Sequence, residues 1–122
     1  MKHLTPTEAH DFLQATPEAV FVDVRMEVEY QYVGHPPNAV NIPWYDFPDL
    51  KPQPAPFVAR VRQQVGDRLD CPVVLLCRSG LRTVDAGIAL EKAGFTRVIN
   101  VLEGFEGELD DDDHRGTEDG WR

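Results

Sequence analysis

The stretch "VVLLCRSGLRT", residues 73–83, carries four apolar residues without a polar break, then a cysteine, an arginine, a glycine and a second arginine. An unbroken apolar run of this length predicts a strand covered on both faces, as in the middle of a parallel sheet. Gly80 supplies the backbone freedom for a tight turn, and "TVDAGIALEKAGF" (83–95) continues as a helix stopped at Gly94. Strand, turn and helix in that order make a βα unit, and similar units recur on both sides. "AVFVDVR" (19–25), "AVNIP" (39–43) and "RVINVLEG" (97–104) read as further strands. "LTPTEAHDFLQA" (4–15) reads as a helix with Thr5 and Glu8 in capping-box spacing. "FVARVRQQVG" (57–66) puts Phe57, Val58, Val61 and Val65 on one helical face. "MEVEYQYV" (26–33) predicts a short helix, and the four prolines of "DFPDLKPQPAP" (46–56) predict a surface connection without regular structure. The alternation predicts the α/β class, a parallel sheet with helices on both faces.

Composition bounds the rest. A chain of 122 residues that is 42% hydrophobic holds one core and one domain. The expected unit is 1–105, followed by an acidic and mobile segment, 106–122, that carries eight of the 21 acidic residues. A net charge of -9 argues against nucleic acid or an anionic membrane surface as partner. Neither a membrane-spanning run nor a signal-peptide pattern is present in the sequence, so a cytoplasmic location is expected. Cys71 and Cys77 stand at the two ends of one extended segment, roughly 20 Å apart at about 3.3 Å per residue. That is too far for a disulfide, and both thiols suit a reducing compartment.

At the carboxyl end of a central strand, Cys77 falls where open parallel sheets bind their ligands. A tight turn into a helix start aims backbone N–H groups at one point, and arginines at 78 and 82 add positive charge. Surroundings of that kind bring a thiol from ~8.5 to roughly 3.5–7.5, turning a small neutral side chain into a nucleophilic anion. The competing expectation is a buried, inert cysteine packed as a small hydrophobe.

"CRSGLRT" (77–83) resembles the active-site loop of the rhodanese-like sulfurtransferases. Three further blocks fall in the same order as in that family: "VDVRMEVEY" (22–30), "GHPPNAVNIP" (34–43), and "TVDAGIALEKAGF" with "VINVLEG" (98–104). The resemblance implies a rhodanese-like α/β fold, a central, mainly parallel five-stranded sheet with helices on both faces. It implies a sulfurtransferase that takes a sulfane sulfur from a small anionic donor, thiosulfate or a persulfide, and passes it through a Cys77 persulfide to cyanide, a thiol or a protein acceptor. By the same resemblance Cys77 is the catalytic nucleophile, and Arg78, Ser79, Gly80, Leu81, Arg82 and Thr83 form the substrate cradle. Arg25 matches a position near the bound anion or else forms an ion pair with Asp23 or Glu29, which act as structural support. No cofactor and no metal are implied. Pro36 and Asn38 depart from the family's usual Ile and Gly, and Phe105 from its Gly.

Two other functions compete. One is a non-catalytic module of the same fold that binds a partner or relays sulfur. The other is a phosphatase or arsenate reductase, whose related loops put five residues between cysteine and arginine. Here Arg82 comes one position sooner, and the smaller loop favours sulfur over a tetrahedral oxyanion. The four histidines lack metal-ligand spacing, and "DDDDHRGTE" (110–118) has Arg115 where a calcium loop needs glycine.

Overall fold

The computed structural model describes residues 1–46, 50–77 and 81–102. The acidic segment 106–122, the expected domain boundary at 105 and loop residues 78–80 therefore lie outside the described residues. The elements are β1 (Lys2–Leu4), α1 (Pro6–Ala15), β2 (Val20–Asp23), a π-helical segment (Glu29–Val33), β3 (Val40–Asn41), α2 (Pro54–Val65), β4 (Val73–Leu76), α3 (Leu81–Lys92) and β5 (Val98–Val101).

The five strands among the described residues are all parallel, in the order β1-β5-β4-β2-β3. The expected sheet was mainly parallel; the described one is entirely so. Its centre is β4, and the burial of that strand explains its sequence. Val73 and Leu75 face a cluster with Val61 and Leu90, from α2 and α3, while Val74 and Leu76 face Ala9, Phe12 and Leu13 of α1. All four β4 side chains are fully buried, and covering each stabilises the fold by about 1.5–3 kcal/mol. A charge at Leu75 would break both the packing and the strand.

The helices start and stop where local chemistry directs. Thr5 and Glu8 close a reciprocal capping box, with the Glu8 N–H donating to Thr5 Oγ1 at 3.2 Å and the Thr5 N–H to Glu8 Oε1 at 2.9 Å. Gly66 ends α2 in the left-handed conformation at φ 61°, and its N–H donates to the Arg62 carbonyl. In α3 the residues Thr83, Ala86, Gly87 and Leu90 form one buried stripe at helical spacing.

The structure departs from the sequence reading at two places. Lys2–Leu4 is a strand paired with β5, although three residues carry no readable periodicity. The proline-rich connection is shorter than expected, because α2 already begins at Pro54; proline fits the first helical turn, where no N–H is required. The short helix expected after β2 is present, and it closes as a π-helical segment. Asn38 takes the left-handed backbone, φ 67°, where the family's usual residue is glycine.

Candidate active site

The sheet order locates a crevice before any side chain is considered. From β2 the chain moves outward to β3, whereas from β4 it moves the opposite way to β5. The neighbouring strands β2 and β4 thus send their connections in opposite directions, and the space beyond their carboxyl ends is a topological switch point. Cys77 follows β4 there, and Asp23 ends β2 beside it, paired with Leu76.

Cys77 is buried, 1% exposed, with its sulfur among core residues and 3.8 Å from Thr83 Oγ1. The thiol lies beneath the surface, against the first turn of α3. Thr83 is itself fully buried, and its hydroxyl donates to Asn100 Oδ1 on β5. Asn100 Nδ2 in turn lies 3.1 Å from His3 Nδ1. Leu81 opens α3, while Arg78, Ser79 and Gly80 belong to the stretch outside the described residues.

Arg82 reaches across the crevice to the loop after β2. Its Nη1 and Nη2 donate to Glu29 Oε1 and Oε2 at 2.7 and 3.1 Å, a two-pronged pair mostly shielded from solvent. The guanidinium also lies over the Tyr45 ring, 5.3 Å from its centroid. Burial alone would lower the Arg82 pKa, but the hydrogen bonds and charge of Glu29, with smaller help from Tyr45 and Cys77, hold it above the ordinary value. Burial would likewise raise Glu29, yet the Arg82 hydrogen bonds and charge and the Met26 N–H keep that carboxyl below its usual range. Glu29 therefore braces Arg82, a partnership the sequence did not reveal.

Arg25 lies just past the end of β2. Fully buried, it grips Asp23 through Nε–Oδ1 and Nη2–Oδ2 contacts of 3.0 and 2.7 Å, and Nη2 donates to the Gly34 carbonyl at 2.6 Å. These contacts are those of an ion pair that ties the end of β2 to the loop ending at Gly34. His35 stacks on Tyr30 with centroids 3.7 Å apart, and its Nδ1 lies 2.8 Å from the Tyr30 carbonyl oxygen, so it serves its own turn.

The second thiol is of another kind. Cys71 lies at the opposite end of β4, where Sγ donates to the Glu18 carbonyl at 3.1 Å and burial pushes its pKa up. Neither cysteine is part of a disulfide. Among the described residues no three His, Cys, Asp or Glu side chains are grouped to hold a metal, and no helix is long and apolar enough to cross a membrane. Asn100, which the sequence reading did not single out, could have been found: it is a lone polar residue in an otherwise apolar strand, and such a group needs a partner when buried.

Comparison with known proteins agrees with this fold. The family model of the rhodanese-like domain matches residues 5–109. The crystal structure of Rv0390 from M. tuberculosis is 39% identical, with a TM-score of 0.80 over 100% of this chain and 92% of that one. The polysulfide-sulfur transferase homodimer from Wolinella succinogenes is 25% identical, with a TM-score of 0.64 over 85% of this chain and 69% of that one. The tRNA uridine(34) hydroxylase of Enterobacter sp. is 29% identical over 89 residues, which are 73% of this chain but only 23% of the hydroxylase.

Proposed function

The chain belongs to the rhodanese-like domain family, and on that premise we propose that it is a sulfurtransferase carrying one sulfane sulfur at a time on Cys77. The observation that carries the reading is the placement of this thiol at the switch point between β2 and β4, with Arg82 and Thr83 delivered to the same place by the start of α3. The similarity to a polysulfide-sulfur transferase supports the same chemistry.

In the proposed cycle the Cys77 thiolate attacks the outer sulfur of thiosulfate or of a persulfide donor. A new S–S bond forms to Cys77, the donor's S–S bond breaks, and its electron pair leaves on sulfite or on the donor thiolate. Cyanide or an acceptor thiolate then attacks the outer sulfur of the Cys77 persulfide, and the electron pair of the broken S–S bond returns to Cys77. The attacking thiolate and the loaded persulfide each carry one negative charge on sulfur. Backbone amides of residues 78–82, including those of Ser79, Gly80 and Leu81, are assigned to hold it, with Arg78 and Arg82 attracting the anionic donor. Arg25 and Asp23 are assigned to fix the loop after β2, and Glu29 to hold Arg82 in place. No metal or cofactor enters this cycle. A reducing, cytoplasmic setting suits it, with residues 1–105 as the working unit and 106–122 as an appended acidic segment.

The burial of Cys77 favours one alternative, a module of the same fold that binds a partner or relays sulfur which that partner delivers. Intact mass after incubation with thiosulfate separates the two. The sulfurtransferase gains the mass of one sulfur atom, loses it to cyanide, and shows neither change as Cys77→Ser. A folded protein that stays unmodified by thiosulfate and by polysulfide would overturn the catalytic reading.

A further inference from the structure

Three polar side chains lead from the thiol to the outer edge of the sheet. Cys77 Sγ lies 3.8 Å from Thr83 Oγ1, Thr83 donates to Asn100 Oδ1, and Asn100 Nδ2 lies 3.1 Å from His3 Nδ1. The last two residues are register partners across the parallel pair β1–β5. Thr83 is fully buried and Asn100 is 2% exposed, while His3 is exposed. A path of this kind crosses three elements, α3, β5 and β1, and ends in solvent.

The path has two polarities, chosen by whether His3 Nδ1 carries a hydrogen. An amide NH2 only donates, so where Nδ1 carries none it accepts from Asn100 and the Asn100 oxygen faces Thr83. Thr83 has one hydroxyl hydrogen and gives it to that oxygen, which leaves a lone pair for the Cys77 S–H. If Nδ1 carries a hydrogen instead, the amide must turn over: His3 donates to Oδ1, Nδ2 donates to Thr83, and the hydroxyl hydrogen points at sulfur. The first polarity favours the thiol and the second favours the thiolate.

We propose that Asn100 and His3 are positioning residues that set the direction of the Thr83 hydroxyl toward Cys77, and thereby the balance between its thiol and thiolate forms. The proposal rests on Cys77 being the nucleophile, but it concerns the resting enzyme before any sulfur donor arrives. His3 does not touch substrate; it acts through the amide beside it. A residue at the solvent edge of β1 thus governs the readiness of a buried sulfur three side chains away.

The thiolate-to-thiol ratio of Cys77 is read, without a sulfur donor, from the ultraviolet thiolate absorbance of the full chain at neutral pH, taken as a difference against Cys77→Ser. Asn100→Leu removes the acceptor, frees the hydroxyl hydrogen for sulfur and should raise the ratio roughly threefold. His3→Phe releases the amide and should move the ratio in the same direction, whereas His3→Asn, which offers an acceptor oxygen near the Nδ1 position, should restore the parent value. In a Thr83→Val background the Asn100→Leu rise should vanish. An unchanged ratio in both single variants, or the same rise without the hydroxyl, would overturn the proposal. Because His3 is exposed, its variants decide the matter even where Asn100→Leu fails to fold. A shifted ratio in a protein that takes up no sulfur would refute the transferase reading alone, and sulfur uptake with an unmoved ratio would refute the relay alone.

Discussion

Glu29 and Arg82 lie 53 residues apart in sequence and meet through two parallel hydrogen bonds that join the start of the π-helical segment after β2 to the first turn of α3. The pair spans the crevice next to Cys77, so it ties the stability of the fold to the shape of the site.

Its pH dependence has a definite sign. The Glu29 carboxyl is lower in the folded chain than in the unfolded one, so its stabilising contribution is fully present above the ordinary carboxylate range. It is lost as pH falls through that range toward the folded value. Glu29→Gln should cost about 1–2 kcal/mol at neutral pH, and the gap to the parent protein should close on acidification. Urea midpoints measured across that range check this; a gap independent of pH would deny the pair its electrostatic character.

Arg82→Ala should lower kcat/KM for thiosulfate on the order of tenfold, the scale of one lost charge-assisted hydrogen bond. Arg82→Lys keeps the charge but not the planar fork, and should fall between the two. Steady-state kinetics alongside thermal melts distinguish a site residue from a structural one: kinetics equal to those of the parent protein would remove Arg82 from the mechanism.

The Asp23–Arg25 pair is buried on both sides, at 0% side-chain exposure. Asp23→Leu leaves a guanidinium in the interior without its carboxylate and should cost about 3–5 kcal/mol. Replacing both residues, Asp23→Leu with Arg25→Met, should cost less than the single change, since no buried charge then remains. Chemical denaturation of the three proteins gives the comparison, and a double variant weaker than the single would show that Arg25 does more than neutralise Asp23.

Thr5→Ala opens the capping box of α1 and should destabilise the protein by about 1 kcal/mol, with no change in sulfur uptake by Cys77. A melting curve and the thiosulfate mass assay, run on the same sample, test both halves of the statement.

How far the sequence reveals this molecule depends on the range of the interactions involved. β4 and the position of Cys77 are legible because four consecutive apolar residues have no other use, and the α1 cap is legible because Thr5 and Glu8 interact across one turn. β1 is not, since three residues become a strand only by pairing with β5. Nor is the Glu29–Arg82 pair, which depends on a π-helical segment and α3 being brought together by the sheet. The resemblance leaves Arg25 open between a bound anion and an ion pair, and the structure shows hydrogen bonds from it to Asp23 and to the Gly34 carbonyl, contacts that spacing alone does not choose. Thr83 and Asn100 fall between these cases, because polarity at buried positions announces that partners exist without saying which.

Among the described residues the two rims of the sheet are brief, three residues in β1 and two in β3. A foreign peptide seeking to extend the sheet would find hardly a rung on which to hydrogen-bond, so resistance to strand-on-strand aggregation follows from the topology itself.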